Sequence, residues 1–144
     1  MEELIQSSKI VLANHYAFYV KAQNYHWNVT GPDFYQYHEL FGKLYNEVGN
    51  SIDRLAEEVR AMNSYAPGSF SRFAELSQIA DEVNVPSAFE MIKRLYGDIE
   101  IVQQSIMEAY HLAEQNMQHG YSNLMAERQD AFNKHAWMLR ATLR

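Results

Sequence analysis

The chain has 144 residues, 47% of them hydrophobic, and a formal net charge of −6. That length carries one domain with a core of ordinary size and is too short for two. The complete absence of cysteine excludes disulfides, thiolate chemistry and cysteine-ligated zinc or iron–sulfur centres.

No run of about eighteen apolar residues occurs, and Met1-Glu2-Glu3-Leu4 opens without a basic stretch ahead of an apolar one. Neither membrane insertion nor secretion is signalled, and a cytoplasmic location is expected. No block of Lys or Arg exceeds two residues, so the electrostatic footprint of a nucleic-acid binder is missing and the acidic body should repel DNA.

Leu4, Ile5, Val11, Leu12, Tyr16, Tyr19 and Val20 recur at three- and four-residue spacing, which predicts an amphipathic helix from Glu2 to about Val29. Thr30-Gly31-Pro32-Asp33 then reads as a stop, a turn and a restart, with Gly31 able to turn left-handed and Asp33 able to cap the next helix. That second helix is predicted from about Phe34 to Met62. Asn63-Ser64 and Pro67-Gly68-Ser69 take the chain out of helix, and Phe73 to Ala80 suffices for a short helix inside a long connection. Pro86 suits the first turn of a third long helix, running to about Gln115. Gly120 ends that stretch, and Ser122 opens a fourth helix that reaches the C-terminus. This order predicts an all-α, ferritin-like four-helix bundle in one domain, residues 1–144, with a short extra helix in the long connection between helices 2 and 3.

Six histidines occur, at 15, 26, 38, 111, 119 and 135, and any one alone is more often structural than a ligand. The combinations carry more. His26 stands near the end of the first helix and His38 in the first turns of the second, so a tight turn can bring them together. Asp53 and Glu57 are four apart on the second helix, where like charges repel unless a cation lies between them. A solvated face helped by Arg54 and Arg60 is the plainer reading of that acidic pair.

Fifteen residues separate His38 from Asp53, about 22 Å along a straight helix, so one ion cannot bind both within a chain. The same spacing returns to within roughly 60° of one face. An antiparallel second copy across a two-fold axis would bring His38 of one chain to Asp53 and Glu57 of the other. Gly42, Gly49 and Ala56 recur every seven residues on this side. Each helix-interior glycine is unfavourable by about 1 kcal/mol, so close approach of another backbone is the expected reason. Mixed imidazole and carboxylate ligation suits iron, although zinc, cobalt or manganese could also bind.

These residues make the sequence recognisable. His26-Trp27-Asn28-Val29 with Gly31-Pro32 and Phe34, then His38-Glu39-Leu40-Phe41, then Ile52-Asp53-Arg54-Leu55-Ala56-Glu57-Glu58 resemble the signature of the Dps mini-ferritins. Pro67-Gly68-Ser69 and Lys134-His135-Ala136-Trp137-Met138-Leu139-Arg140 resemble further segments of that family, and the likeness covers nearly the whole chain.

The resemblance implies a ferroxidase centre in which His26 and His38 of one subunit join Asp53 and Glu57 of its two-fold mate around a pair of irons, with zinc or other divalent ions able to substitute. Iron(II) would be oxidised to iron(III), preferentially by hydrogen peroxide and otherwise by oxygen, and stored as ferric mineral in a dodecameric shell built from two-fold dimers. An inter-subunit site is expected in preference to the intra-bundle site that larger ferritins typically build with a Glu-x-x-His motif. Trp27 is a candidate radical trap. Glu114 is a candidate lining residue of the pore that admits iron, with Gln118 and Asn123 where the family commonly carries aspartates. The Lys/Arg-rich tail by which many members bind DNA has no counterpart. A DNA-protecting shell with little ferroxidase activity is the competing function, and a plain helical interaction protein is a third.

Overall fold

The computed structural model describes all 144 residues. Five helices form: α1 (Glu2–Asn28), α2 (Phe34–Ala61), α3 (Phe70–Leu76), α4 (Ala88–Gln115) and α5 (His119–Thr142). The bundle consists of two helical hairpins, α1/α2 and α4/α5, joined by a long connection that holds α3. No helix is long and apolar enough to cross a membrane.

Local chemistry sets the boundaries. Gly31 takes φ +122° and turns the chain between α1 and α2, as its lack of a Cβ permits. Asp33 occupies the N-cap position of α2, but its side chain makes no capping hydrogen bond. The short helix begins three residues earlier than the sequence suggests, because the Ser69 hydroxyl accepts from the Arg72 amide and caps it. Likewise Ser87, not Pro86, opens α4: its hydroxyl accepts from the Glu90 amide, leaving Pro86 one residue before the cap. Gly120 and Ser122 both lie inside α5, which starts at His119. The turn is made instead by Met117 at φ +55°, and the Gln118 amide donates back to the Ala113 carbonyl at 2.8 Å.

α1 is the central element, packing against α2, α3 and α4, while α4 packs against α5. Phe18, Phe41, Leu55, Leu95, Ile99 and Phe132 are buried where these helices meet. Each such side chain contributes about 1.5–3 kcal/mol. Polar side chains of α1 pin the connection beyond α3. Asn14 exchanges hydrogen bonds with Gln78, Lys21 donates to the Ala80 carbonyl at 3.0 Å, and the Tyr25 hydroxyl donates to Glu82 at 2.7 Å. These bonds satisfy a loop that has no ladder of its own.

Candidate metal centre

His26 lies in the last turn of α1 and His38 in the second turn of α2, and the five-residue turn lays one imidazole on the other. Their centroids are 3.8 Å apart and their planes 15° from parallel. His26 Nδ1 is 2.6 Å from the His38 carbonyl oxygen, and His38 Nδ1 is 2.7 Å from the His26 carbonyl oxygen. A carbonyl only accepts, so each ring carries its hydrogen on Nδ1 and keeps its lone pair on Nε2. That is the tautomer a metal ligand needs, fixed by the second hydrogen bond that commonly orients such ligands.

Within the chain, the glycines of α2 make room for side chains of α1. A Cβ on Gly42 would lie 3.0 Å from the His26 ring, and a Cβ on Gly49 would lie 2.7 Å from the Tyr19 ring. Both admit aromatic rings of α1, which packs against α2 and whose large side chains need the space. Phe34 stacks on His38 at 5.1 Å and Tyr45 leans on His26 at 5.1 Å, so the imidazole pair is held within an aromatic frame.

Asp53 and Glu57 are exposed farther along α2. The two arginines that could neutralise them are engaged elsewhere. Arg54 pairs with Glu127 at 3.0 Å, and Arg60 donates to the Ser64 carbonyl and covers the Tyr65 ring. Neither carboxylate has an ion-pair partner in the chain, so Arg54 and Arg60 do not neutralise the pair, and both side chains stand solvated on the helix face. Within this chain the structure brings His26 and His38 together and leaves Asp53 and Glu57 apart from them. No group of three or more His, Asp or Glu side chains in one subunit could hold a metal.

Trp27 is 65% exposed, and its ring is outside the aromatic frame. Glu114 accepts from His119 Nδ1 at 2.7 Å and from the Ser122 hydroxyl at 3.0 Å, which ties the end of α4 to the start of α5. The hydrogen bond from His119, aided by that from Ser122, lowers its carboxyl below the ordinary range. One Glu-x-x-His tetrad does occur, Glu108 to His111, but both of its ligand-type residues are exposed on α4 and do not enter the bundle.

A second polar cluster carries no sequence signal, since its members come from three helices. Arg128 donates two hydrogen bonds to Glu47, at 2.6 and 3.0 Å, and a third from Nε to His15 Nε2 at 3.1 Å. His135 Nε2 is 2.7 Å from the same Glu47 carboxylate. His15 donates Nδ1–H to the Val11 carbonyl, which leaves Nε2 as the acceptor. Burial, reinforced by the Arg128 charge, pushes the His15 imidazole down to about 3. Burial acts upward on Glu47, but hydrogen bonds from His135 and Arg128 outweigh it and hold the carboxyl at about 2. His15, Glu47 and His135 have ligand chemistry, but a guanidinium sits among them where an ion would have to go.

A family model described as the ferritin-like domain matches residues 9–144. General stress protein 20U of Bacillus subtilis (strain 168) is 32% identical over 142 residues, covering 99% of this chain and 98% of that one. The DNA protection during starvation protein of Brevibacillus brevis is 31% identical over 132 residues, covering 92% of this chain and 89% of that one. A crystal structure of the Dps protein from Vibrio cholerae O1, described as a member of a broad superfamily of ferritin-like diiron-carboxylate proteins, superposes with a TM-score of 0.95 at 27% identity, covering 99% of this chain and 90% of that one. Helix order and these likenesses together define a ferritin-like protein. Within that class, the chain belongs to the Dps family.

Proposed function

We propose that this chain is an iron-storing, iron-detoxifying ferroxidase of the Dps type, working in the cytoplasm as a dodecameric shell. Its substrate is ferrous iron and its preferred oxidant hydrogen peroxide, with oxygen the slower alternative. A pair of irons is held by His26 and His38 of one subunit and Asp53 and Glu57 of its two-fold mate, and the ferric product is stored as mineral. Zinc or another divalent ion can take the same ligands.

The observation that carries this reading is the stacked His26–His38 pair. Both Nδ1 atoms are committed to the opposite carbonyl, so each ring has only Nε2 to offer, and two such donors side by side are half of a metal site. The missing half must supply anionic oxygen, and Asp53 and Glu57 present it unpaired at a distance one chain cannot close. A two-fold axis closes it twice. Glu114 is assigned to the route by which iron is admitted, and Trp27 to the interception of stray oxidising equivalents at the surface. DNA is not a partner at physiological salt, because a subunit charge of −6 opposes it.

The test is anaerobic loading with ferrous iron followed by a peroxide pulse, with the intact protein compared with Asp53→Ala/Glu57→Ala by absorbance and assembly confirmed by size. Fast oxidation that is lost in an assembled variant is the expected result. Equal, slow oxidation in both would return the competing role, a shell that shields DNA without oxidising iron, and tight DNA retardation at low salt would support that role.

A further inference from the structure

α1 packs on α2 and α4 on α5, but α2 and α5 do not pack closely on each other, and the Glu47–Arg128–His135 cluster bridges them. Beside that bridge lies a pocket of about 280 Å³ between the two helices. Its walls are mainly apolar, with Leu40 and Leu44 from α2 and Ala131 and Met138 from α5. Lys43 and Lys134 also line it, one from each helix, and both are exposed. Neither has a carboxylate partner, whereas Lys21, Arg54, Arg72, Arg94 and Arg128 each face one. The acid at the pocket, Glu47, is committed elsewhere: Arg128 donates two hydrogen bonds to it and His135 a third. A chain of net charge −6 repels small anions at long range, so two uncompensated ammonium groups at one pocket are a local exception.

We propose that this pocket binds a medium-chain carboxylate, with the hydrocarbon body between α2 and α5 and the head group between Lys43 and Lys134. The site is separate from the imidazole pair, and no step of iron chemistry enters it. An inorganic anion would satisfy the two lysines but gain nothing from the apolar walls. An alcohol or hydrocarbon would use the walls but leave the lysines uncompensated. A molecule with both parts uses the whole pocket, and its volume, at the small end of ligand sites, suits a single chain on the order of eight carbons. The lysines are solvated, so each contributes modestly. The hydrocarbon body supplies most of the affinity, and the lysines supply the preference for an anion. A ligand seated there touches both helices, so it ties together two elements that side chains alone now join, and its binding should raise the melting temperature of the shell.

The experiment is isothermal titration calorimetry of the assembled, iron-free shell with hexanoate, heptanoate and octanoate, and with octanol and inorganic phosphate as comparisons. Saturable octanoate binding at one molecule per subunit is expected, with affinity rising about three- to four-fold per methylene along the series. Octanol and phosphate should each bind at least tenfold more weakly. In Lys43→Glu/Lys134→Glu octanoate affinity should fall tenfold or more while octanol is unaffected, and the control Lys93→Glu, on α4, should match the wild type. If the double charge reversal does not assemble, Lys43→Gln/Lys134→Gln tests the same pair and should bring octanoate down to the level of octanol. Octanol bound as tightly as octanoate would reduce the pocket to a plain apolar cleft and overturn the proposal. So would phosphate displacing octanoate at equal concentration, which would leave an ion on two lysines only. Binding by dissociated subunits but not by the assembled shell would mean that a neighbouring subunit covers the pocket, and would overturn it as well.

Discussion

Tyr19 of α1 lies across Gly49 of α2 so closely that a methyl group there would meet the ring at 2.7 Å. Gly49→Ala gains about 1 kcal/mol of helix propensity but forces a half-buried ring against Tyr16 and Tyr45, an overpacking that costs about 1–3 kcal/mol. Net destabilisation is expected. Gly97→Ala in α4, where a Cβ meets nothing within 4 Å, is expected to stabilise. Thermal melts of the two variants side by side check the sign of each; a stabilised Gly49→Ala would mean that the Tyr19 ring is free to move.

Complementation tests the shared centre. A shell with His26→Ala/His38→Ala in every subunit, and a shell with Asp53→Ala/Glu57→Ala in every subunit, should both be inactive. Subunits dissociated, mixed in equal parts and reassembled should recover about one quarter of wild-type sites. Half of the dimers are mixed, and each of these has one centre with all four ligands and one with none. No recovery from a mixture that demonstrably exchanges subunits would rule out ligands contributed across a two-fold axis.

Lys21 of α1 and Asp98 of α4 are both buried, with Nζ 2.8 Å from Oδ2, yet that oxygen receives no hydrogen bond of good geometry. The contact is mainly ionic. Burial raises the Asp98 carboxyl, and Lys21 only partly offsets it. Lys21→Met should therefore cost about 3 kcal/mol by stranding a buried carboxylate, while Lys21→Met/Asp98→Leu should recover much of that loss. Denaturant midpoints of the two variants provide the comparison, and equal losses would argue that the pair stabilises the fold in its own right.

The Glu47–Arg128–His15 cluster sets an acid limit. His15 falls from an ordinary 6.5 to about 3 and Glu47 from 4.5 to about 2, so the unfolded chain binds more protons than the folded one between those values. Stability due to His15 is complete above pH 6.5 and lost as pH falls towards 3. The share due to Glu47 is complete above 4.5 and lost towards 2. Unfolding free energy should decline through both windows, and Glu47→Gln should remove the Glu47 share of the slope below pH 4.5 while the His15 share continues towards pH 3. Arg128→Leu should lower stability by about 2–3 kcal/mol at neutral pH, since it leaves the half-buried Glu47 carboxylate with His135 as its one donor and the buried His15 Nε2 with none.

Glu114→Gln should slow the initial rate of iron uptake, and raised ionic strength should narrow its difference from the wild type, since attraction of a cation along a route is screened by salt. Oxidation at the centre itself, measured on iron already bound, should not change. An unaltered uptake rate would place the route elsewhere.

Much of the candidate site was legible because its residues obey helix arithmetic. His26 and His38 flank a turn marked by Gly31 and Pro32, and Asp53 and Glu57 share a face at a four-residue interval; both relations depend only on rise and turn per residue. The fold class was legible for the same reason, through helical periodicity and one long connection. Boundaries were less so: Ser69 and Ser87 cap at positions that the Phe73 and Pro86 signals do not indicate, and Met117, not Gly120, makes the last turn.

What only the tertiary structure decided is which side chains meet across helices. The sequence alone predicts glycines on α2 but not that they seat His26 and Tyr19, and it offers Lys43 and Lys134 without placing them at one pocket. Nor does any spacing join His15, Glu47, Arg128 and His135. Periodicity fixes the face of a helix that turns inward. The rotation and depth at which two faces interlock depend on the packing of all the side chains between them.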